Sequence, residues 1–98
     1  MYRILSICGS GIATSTLVAE RLKDGLEERG ITDLAINEAN INEAAGSIQN
    51  NPPQLIIYTT SIDSLDIGEI PAFDAIPILM NLNTGPIYDA IADTLKQL

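Results

Sequence analysis

The sequence predicts an α/β fold, a three-layer sandwich with a four-stranded parallel sheet in the strand order 2-1-3-4. Apolar runs of strand length alternate with amphipathic stretches of helical period, in the order β-α-β-α-β-loop-β-α. This alternation is typical of a parallel sheet with helices on both faces. The most continuously apolar runs, residues 2–7 and 55–59, predict that strands 1 and 3 lie in the middle. Aromatic residues make up only 4% of the chain, so the expected core is aliphatic.

The first strand and the first helix are joined by a glycine-rich turn. Residues 2–7 form the strand, and residues 8–12 break it. Residues 13–29 then follow a period of 3.6, and Gly30 fits a helix C-terminus. The apolar stripe of this helix, which predicts its core face, is Ala13, Leu17, Val18, Leu22 and Leu26.

The middle of the chain predicts an edge strand, a short helix and a second central strand. Residues 34–40 are half-polar, as expected at a sheet edge, and residues 42–49 fit a short helix. Residues 50–53, which end in two prolines, stop that helix. The run at residues 55–59 is the third strand, and the acidic residues 61–74 are expected to form a solvated loop with one helical turn.

The last part of the chain predicts a fourth strand and a C-terminal helix. Residues 75–80 are apolar, and Pro77 within them favours an edge position. The helix is expected to begin with Thr84 as its N-cap and Pro86 in its first turn. Its predicted apolar stripe is Ile87, Ala90, Ile91, Leu95 and Leu98.

Composition and charge restrict the function. The 98 residues predict a single domain, residues 1–98, and a net charge of -8 disfavours binding to nucleic acid or to an anionic membrane. The chain contains no histidine, which excludes catalytic triads, histidine metal ligands and a phosphohistidine on this chain. A single cysteine and the absence of a signal peptide or a long apolar run favour a cytoplasmic protein.

The turn after strand 1 is predicted to bind an anion. Residues 8–16 read Cys-Gly-Ser-Gly-Ile-Ala-Thr-Ser-Thr and connect a buried strand to a helix. Glycines allow a tight turn and close approach to a ligand, and amides at a helix N-terminus favour an anion. The same amides are expected to stabilise a thiolate at Cys8, which makes Cys8 a candidate phosphoryl acceptor.

Other phosphate-binding patterns fit this turn less well. No lysine follows the glycines as in a Walker A loop, and Thr14 stands where a dinucleotide fingerprint has its third glycine or alanine. Cysteine-dependent phosphatases carry an arginine six residues after the cysteine, a position that Thr14 also occupies here. Without that arginine, the charge of a hydrolytic transition state is poorly stabilised, so a phosphocysteine is expected to persist.

Residues 8–18 resemble the phosphorylation loop of the IIB components of the bacterial phosphoenolpyruvate-dependent sugar phosphotransferase system. The run Ala13-Thr14-Ser15-Thr16 is most similar to the galactitol-type IIB branch. The resemblance extends to length, element order and the acidic first helix, and therefore covers most of the chain.

The resemblance implies a phosphoryl relay. Cys8 would accept the group from a phosphohistidine on a IIA partner and pass it to a sugar or polyol held by the membrane IIC permease. The protein would be cytoplasmic, peripherally associated with the permease and need be no more than a monomer on its own, with no metal or organic cofactor implied. The phosphate loop carried over from the family is Gly9, Ser10, Gly11, Ile12, Ala13, Thr14, Ser15 and Thr16. The amides of residues 10–14 and the hydroxyls of Ser10, Thr14 and Ser15 are expected to hold the phosphoryl oxygens.

Two other functions stay open on sequence alone. One is an enzyme similar to low-molecular-weight phosphatases or arsenate reductases, and the other is a non-catalytic anion-binding module. Thr59, Thr60, Asn81 and Asn83 follow strands 3 and 4, so they are candidates either for phosphate or partner contacts or for turn and capping roles. The side chains of Ile12, Ala13 and Val18 are alternative candidates for an apolar docking surface.

Overall fold

A computed structural model describes residues 2–9 and 12–97, without the side chains of residues 12–15. Its sheet has four parallel strands in the order β2-β1-β3-β4, which confirms the predicted architecture and strand order. The elements are β1 Tyr2–Cys8, α1 Ile12–Glu27, β2 Leu34–Asn40, α2 Ile41–Asn50, β3 Leu55–Tyr58, β4 Ala72–Asp74, α3 Ile76–Met80 and α4 Thr84–Lys96.

Two apolar layers cover the two faces of the sheet. Alternate residues of β1 face opposite sides, so Ile4 joins the cluster formed with α1, α3 and α4, whereas Leu5 joins the cluster formed with α2. The segment that follows β3 packs on the α2 side through Ile62, Leu65 and Ile67. The chain therefore leaves β1 and β3 towards opposite faces, and the topological switch point lies between these two strands, as the predicted strand order implies.

The stretch predicted as strand 4 is a helix. Residues 76–80 form α3, and the fourth strand is the three-residue β4 that precedes it. Pro77 lies in the first turn of α3, where its missing amide hydrogen breaks no helical hydrogen bond. The amide of Ile76 donates to the Asp74 side chain at 2.9 Å, which helps to start the helix.

Among the described side chains of the predicted stripe of α1, one lies outside the core. Val18, Leu22 and Leu26 are fully buried, but Leu17 is 37% exposed and does not belong to the core. The burial of Val18 also contradicts its assignment to an apolar docking surface. Helix α1 ends at Glu27, and Gly30 has a φ of 84°, a conformation that glycine adopts readily at a helix C-terminus.

Asparagines occupy the N-cap positions of α2 and α4, and of these two Asn40 forms a side-chain cap hydrogen bond whereas Asn83 forms none. Asn40, the last residue of β2, also caps α2. Its side-chain oxygen accepts from the backbone amide of Glu43 at 2.9 Å, and the Glu43 carboxylate accepts in return from the backbone amide of Asn40. Asn83, not Thr84, is the N-cap of α4, because Thr84 is already helical. In α4 the predicted stripe holds at Ile91 and Leu95, which are fully buried, whereas Ala90 is exposed.

None of the helices in residues 2–9 and 12–97 is both long and apolar enough to cross a membrane.

Candidate functional site

Cys8 is the last residue of β1 and lies at the carboxyl edge of the sheet. Its side chain is 4% exposed, and its thiol donates to the Ala39 carbonyl oxygen with an Sγ–O distance of 3.7 Å. Because Cys8 pairs with Asn40 of β2, the start of α2 lies beside it as well. This is the edge at which parallel α/β sheets bind their ligands.

The first turn of α1 begins four residues after Cys8. The first amides of an α-helix have no partner within the helix, so they favour an anion at the helix N-terminus. Backbone positions 12–16 of the predicted phosphate loop belong to this helix start. Ser10 and Gly11 lie outside the described residues, as do the side chains of Ile12, Ala13, Thr14 and Ser15. Thr16 is exposed.

Gly9 is in close contact with the end of β3. A Cβ atom built on Gly9 would lie 3.2 Å from Oγ1 and 3.4 Å from Cβ of Thr60. The amide of Thr59 donates to the Ile7 carbonyl at 3.0 Å, which fixes the end of β3 against β1. Thr59 and Thr60 thus lie at the same sheet edge as Cys8, as the sequence predicts.

Asn81 and Asn83 do not follow a strand, which corrects their predicted position. They lie beyond α3, with φ values of 56° and 50° in the left-handed region. Asparagine tolerates this region better than most residues, and Asn81 terminates α3 while Asn83 precedes α4. They occupy the C-cap position of α3 and the N-cap position of α4, although the Asn83 side chain forms no cap hydrogen bond.

The acidic residues of the loop before β4 are solvated, as expected. Asp63, Asp66 and Glu69 are exposed, and so is Asp74 at the end of β4. Within the described ranges, no three acidic, cysteine or histidine side chains come together closely enough to hold a metal ion.

Each of the three arginines is engaged by other groups. Arg3 lies near the amino end of β1 and donates to the Asn51 side chain at 2.6 Å. Arg29 is paired with Asp89 at 2.6 Å, near the C-terminus of α1. The guanidinium of Arg21 donates to the carbonyl oxygens of Ile78 and Leu79 at the end of α3. All three guanidinium groups are therefore already bound by other groups of the fold.

Comparison with known proteins assigns the family. The family model described as "PTS system, Lactose/Cellobiose specific IIB subunit" matches residues 3–97. The chain belongs to the IIB family of the phosphotransferase system. A curated IIB relative from Escherichia coli (strain K12), named "Putative phosphotransferase enzyme IIB component SgcB", is 31% identical over 101 residues, which cover 99% of this chain and 100% of the relative.

Membership in the IIB family gives the chain a phosphocarrier role in sugar uptake, with IIA and IIC components as partners in general. The predicted resemblance to IIB components is thereby confirmed at the level of the family. The galactitol branch is a finer prediction, and the matching family model is described by lactose and cellobiose instead.

Two features of the site could not be read from sequence spacing. The contact between Gly9 and Thr60 joins residues 51 positions apart, and only the pairing of β1 with β3 brings them together. The engagement of Arg21 by α3 depends on a helix that the sequence presents as a strand. In both cases the sequence around one residue does not predict which distant residue it contacts.

Proposed function

We propose that this IIB protein carries a phosphoryl group on Cys8, between a phosphohistidine on a IIA partner and a sugar or polyol bound by the membrane IIC permease. The observation that carries the proposal is the position of Cys8, the chain's only cysteine, at the carboxyl end of β1 and just ahead of α1. Since the chain contains no histidine, the phosphohistidine must come from another protein.

The first transfer is a displacement at phosphorus. The thiolate of Cys8 attacks, the S–P bond forms, and the P–N bond of the phosphohistidine breaks. The electron pair of that bond returns to the imidazole nitrogen of IIA, which takes up a proton in place of the phosphoryl group. The amides at the start of α1 would stabilise the charge on the transferred oxygens, and orientation of the two reactants supplies much of the remaining catalysis.

The second transfer moves the group to the substrate. A hydroxyl oxygen of the sugar attacks phosphorus, the O–P bond forms, and the S–P bond breaks with its electron pair returning to Sγ of Cys8. The hydroxyl proton passes to solvent or to a base on IIC. Between the two steps the phosphocysteine must survive, and the engagement of Arg3, Arg21 and Arg29 elsewhere in the fold favours survival over hydrolysis.

The substrate we propose is a polyol of the galactitol kind. The support is the run Ala13-Thr14-Ser15-Thr16 next to Cys8, which is most similar to galactitol-type IIB components. The test reconstitutes the relay with candidate IIA and IIC components and compares galactitol, lactose and cellobiose as acceptors. If lactose or cellobiose were phosphorylated and galactitol were not, the proposed polyol substrate would be refuted, whereas the proposed phosphoryl relay through Cys8 would stand.

The relay itself is tested by phosphorylating the purified chain. Incubation with phosphoenolpyruvate, the general phosphotransferase proteins and a candidate IIA should add one phosphoryl group to the wild type and none to Cys8→Ala. If the protein were a phosphatase, the wild type would instead hydrolyse an aryl phosphate in a saturable, Cys8-dependent reaction. If it were a non-catalytic anion-binding module, the Cys8→Ala variant would bind the anion and function as the wild type does.

We further propose that the chain acts as one IIB domain on the cytoplasmic side of the membrane, in peripheral contact with the permease. The support is the family match, which extends from residue 3 to residue 97. Co-sedimentation with membranes that contain the IIC permease, and not with membranes that lack it, is the expected result.

A further inference from the structure

The carboxyl ends of β1 and β3 are neighbours at the sheet edge that holds Cys8. Helix α1 leaves β1 towards one face of the sheet, whereas the segment after β3 packs on the other face through Ile62 and Leu65. A ligand bound at this switch point would lie next to both strand ends. Cys8 belongs to one of these ends and Thr60 to the other.

Thr60 packs directly against the residue that follows Cys8. The position of a Cβ on Gly9 would be only 3.2 Å from the Thr60 hydroxyl oxygen, closer than ordinary van der Waals contact. Gly9 thus leaves room for the Thr60 side chain beside the backbone of the phosphate loop. The hydrogen bond from the Thr59 amide to the Ile7 carbonyl holds this end of β3 in place.

The Thr60 hydroxyl is available to a ligand. Thr60 is half-buried, but its hydroxyl forms no hydrogen bond with any group that the structure describes. In the described part of the chain, every buried side-chain oxygen has a hydrogen-bond partner. Since the Thr60 hydroxyl has none, its oxygen is accessible to solvent. A hydroxyl can donate one hydrogen bond, and an anionic oxygen is its strongest acceptor.

We propose that the Thr60 hydroxyl donates a hydrogen bond to an oxygen of the phosphoryl group carried by Cys8. Thr60 is then a phosphoryl-binding residue on the strand next to the nucleophile, outside the loop of residues 9–16. This inference rests on the proposed function, since it needs the phosphoryl group to be on Cys8. The hydroxyl stabilises the group during transfer, while Cβ of Thr60 keeps the packing contact with Gly9.

Three variants separate the hydroxyl from the packing contact. Thr60→Val keeps the shape and removes the donor, whereas Thr60→Ser keeps the donor and removes the methyl group. Thr32→Val is the matched control, because Thr32 is exposed and lies between α1 and β2, at the amino edge of the sheet. For each protein, the rate of Cys8 phosphorylation is measured against the concentration of phosphorylated IIA, and folding is checked by circular dichroism.

Thr60→Val should lower the maximal rate of transfer by about tenfold to hundredfold, as expected for a lost hydrogen bond to a charged group. The half-saturating concentration of phosphorylated IIA should change little, because the hydroxyl acts on the transferred group and not on docking. Thr60→Ser should recover most of the rate, and Thr32→Val should match the wild type.

Two results would overturn the inference. Equal rates for Thr60→Val and the wild type would show that the hydroxyl does not contact the phosphoryl group. A slow Thr60→Ser with a normal Thr60→Val would assign Thr60 a packing role only. A wild type that accepts no phosphoryl group from any IIA refutes the proposed function instead, and with it the premise of the inference, so the two failures are distinguishable.

Discussion

Gly25 in α1 lies against the ring of Tyr88 in α4. A Cβ on Gly25 would come within 2.6–2.7 Å of three ring atoms, and Tyr88 is only 9% exposed, so the ring has little space to move. Glycine is therefore required at this helical position by close approach. Helices α1 and α4 approach closely at this point because Gly25 has no side chain.

Gly25→Ala should lower the free energy of unfolding by about 1–3 kcal/mol, the usual effect of overpacking a core. The matched control is Gly46→Ala in α2, where an added Cβ meets nothing within 4 Å. That variant should raise the free energy of unfolding by about 0.5–1 kcal/mol, because alanine favours a helix more than glycine does. Urea denaturation measures both, and a stabilising Gly25→Ala would contradict the close packing.

Tyr88 makes the stability depend on pH in the alkaline range. Burial raises the pKa of Tyr88, and the neighbouring Arg21 and Arg29 guanidinium groups oppose that shift only in part. Because the unfolded tyrosine ionises first, at a pKa of about 10, the stability contribution is complete below that pH. It is lost as the pH rises through the higher pKa of the folded state.

The free energy of unfolding of the wild type should therefore fall above about pH 10. In Tyr88→Phe the fall should be smaller, since every other ionisable group is the same in both proteins and cancels in the difference. Denaturation at pH 8 and at pH 11 measures the two slopes. Identical slopes would show that Tyr88 does not contribute to the alkaline loss of stability.

At the scale of elements, α3 shows where the sequence pattern is ambiguous. A short apolar run fits a buried strand as well as a helix, and the run at residues 76–80 has only five residues. The signals that favour a helix are Asp74 before the run, Pro77 in its first turn and Asn81 after it. The contact of Arg21 with α3 also stabilises this helix, but it is tertiary, so the local sequence pattern does not predict it.

Arg21 stabilises α3 by donating to two of its last carbonyl oxygens. Arg21→Gln should therefore loosen the end of α3, and the amides of Leu79 and Leu82 should exchange with solvent about tenfold faster or more. Lys23→Gln is the control, because Lys23 lies on α1 like Arg21 but is exposed. Equal acceleration of the β1 amides would indicate a global loss of stability instead of a local contact.

The other elements follow from patterns that packing does not override. Strand β2 has the predicted bounds, and β1 and β3 differ from prediction by one residue at their ends. Continuous apolar runs specify central strands because both of their faces are buried. Helix α2 begins one residue before its predicted start, because Asn40 is both the last residue of a strand and a helix cap and no linker separates the two elements.

At the scale of the whole molecule, the distribution of charge favours a carrier over a hydrolase. The chain has a net charge of -8, and its arginines are bound to other groups of the fold. In the relay that we propose, backbone amides and hydroxyls would hold the phosphoryl group on Cys8, and they supply no cation to drive its hydrolysis. The sequence predicted Cys8 and its sheet edge because both depend on strand order, while the neighbours of the phosphate loop depend on the tertiary fold.

The most direct test of the relay is the mass of the intact protein after phosphoryl transfer from a IIA protein, with mapping of the modified residue. The wild type should gain one phosphoryl group on Cys8, only in the presence of IIA and phosphoenolpyruvate, and Cys8→Ala should gain none. A phosphoryl group on a serine or threonine, or no transfer from any IIA to a folded wild type, would contradict the account.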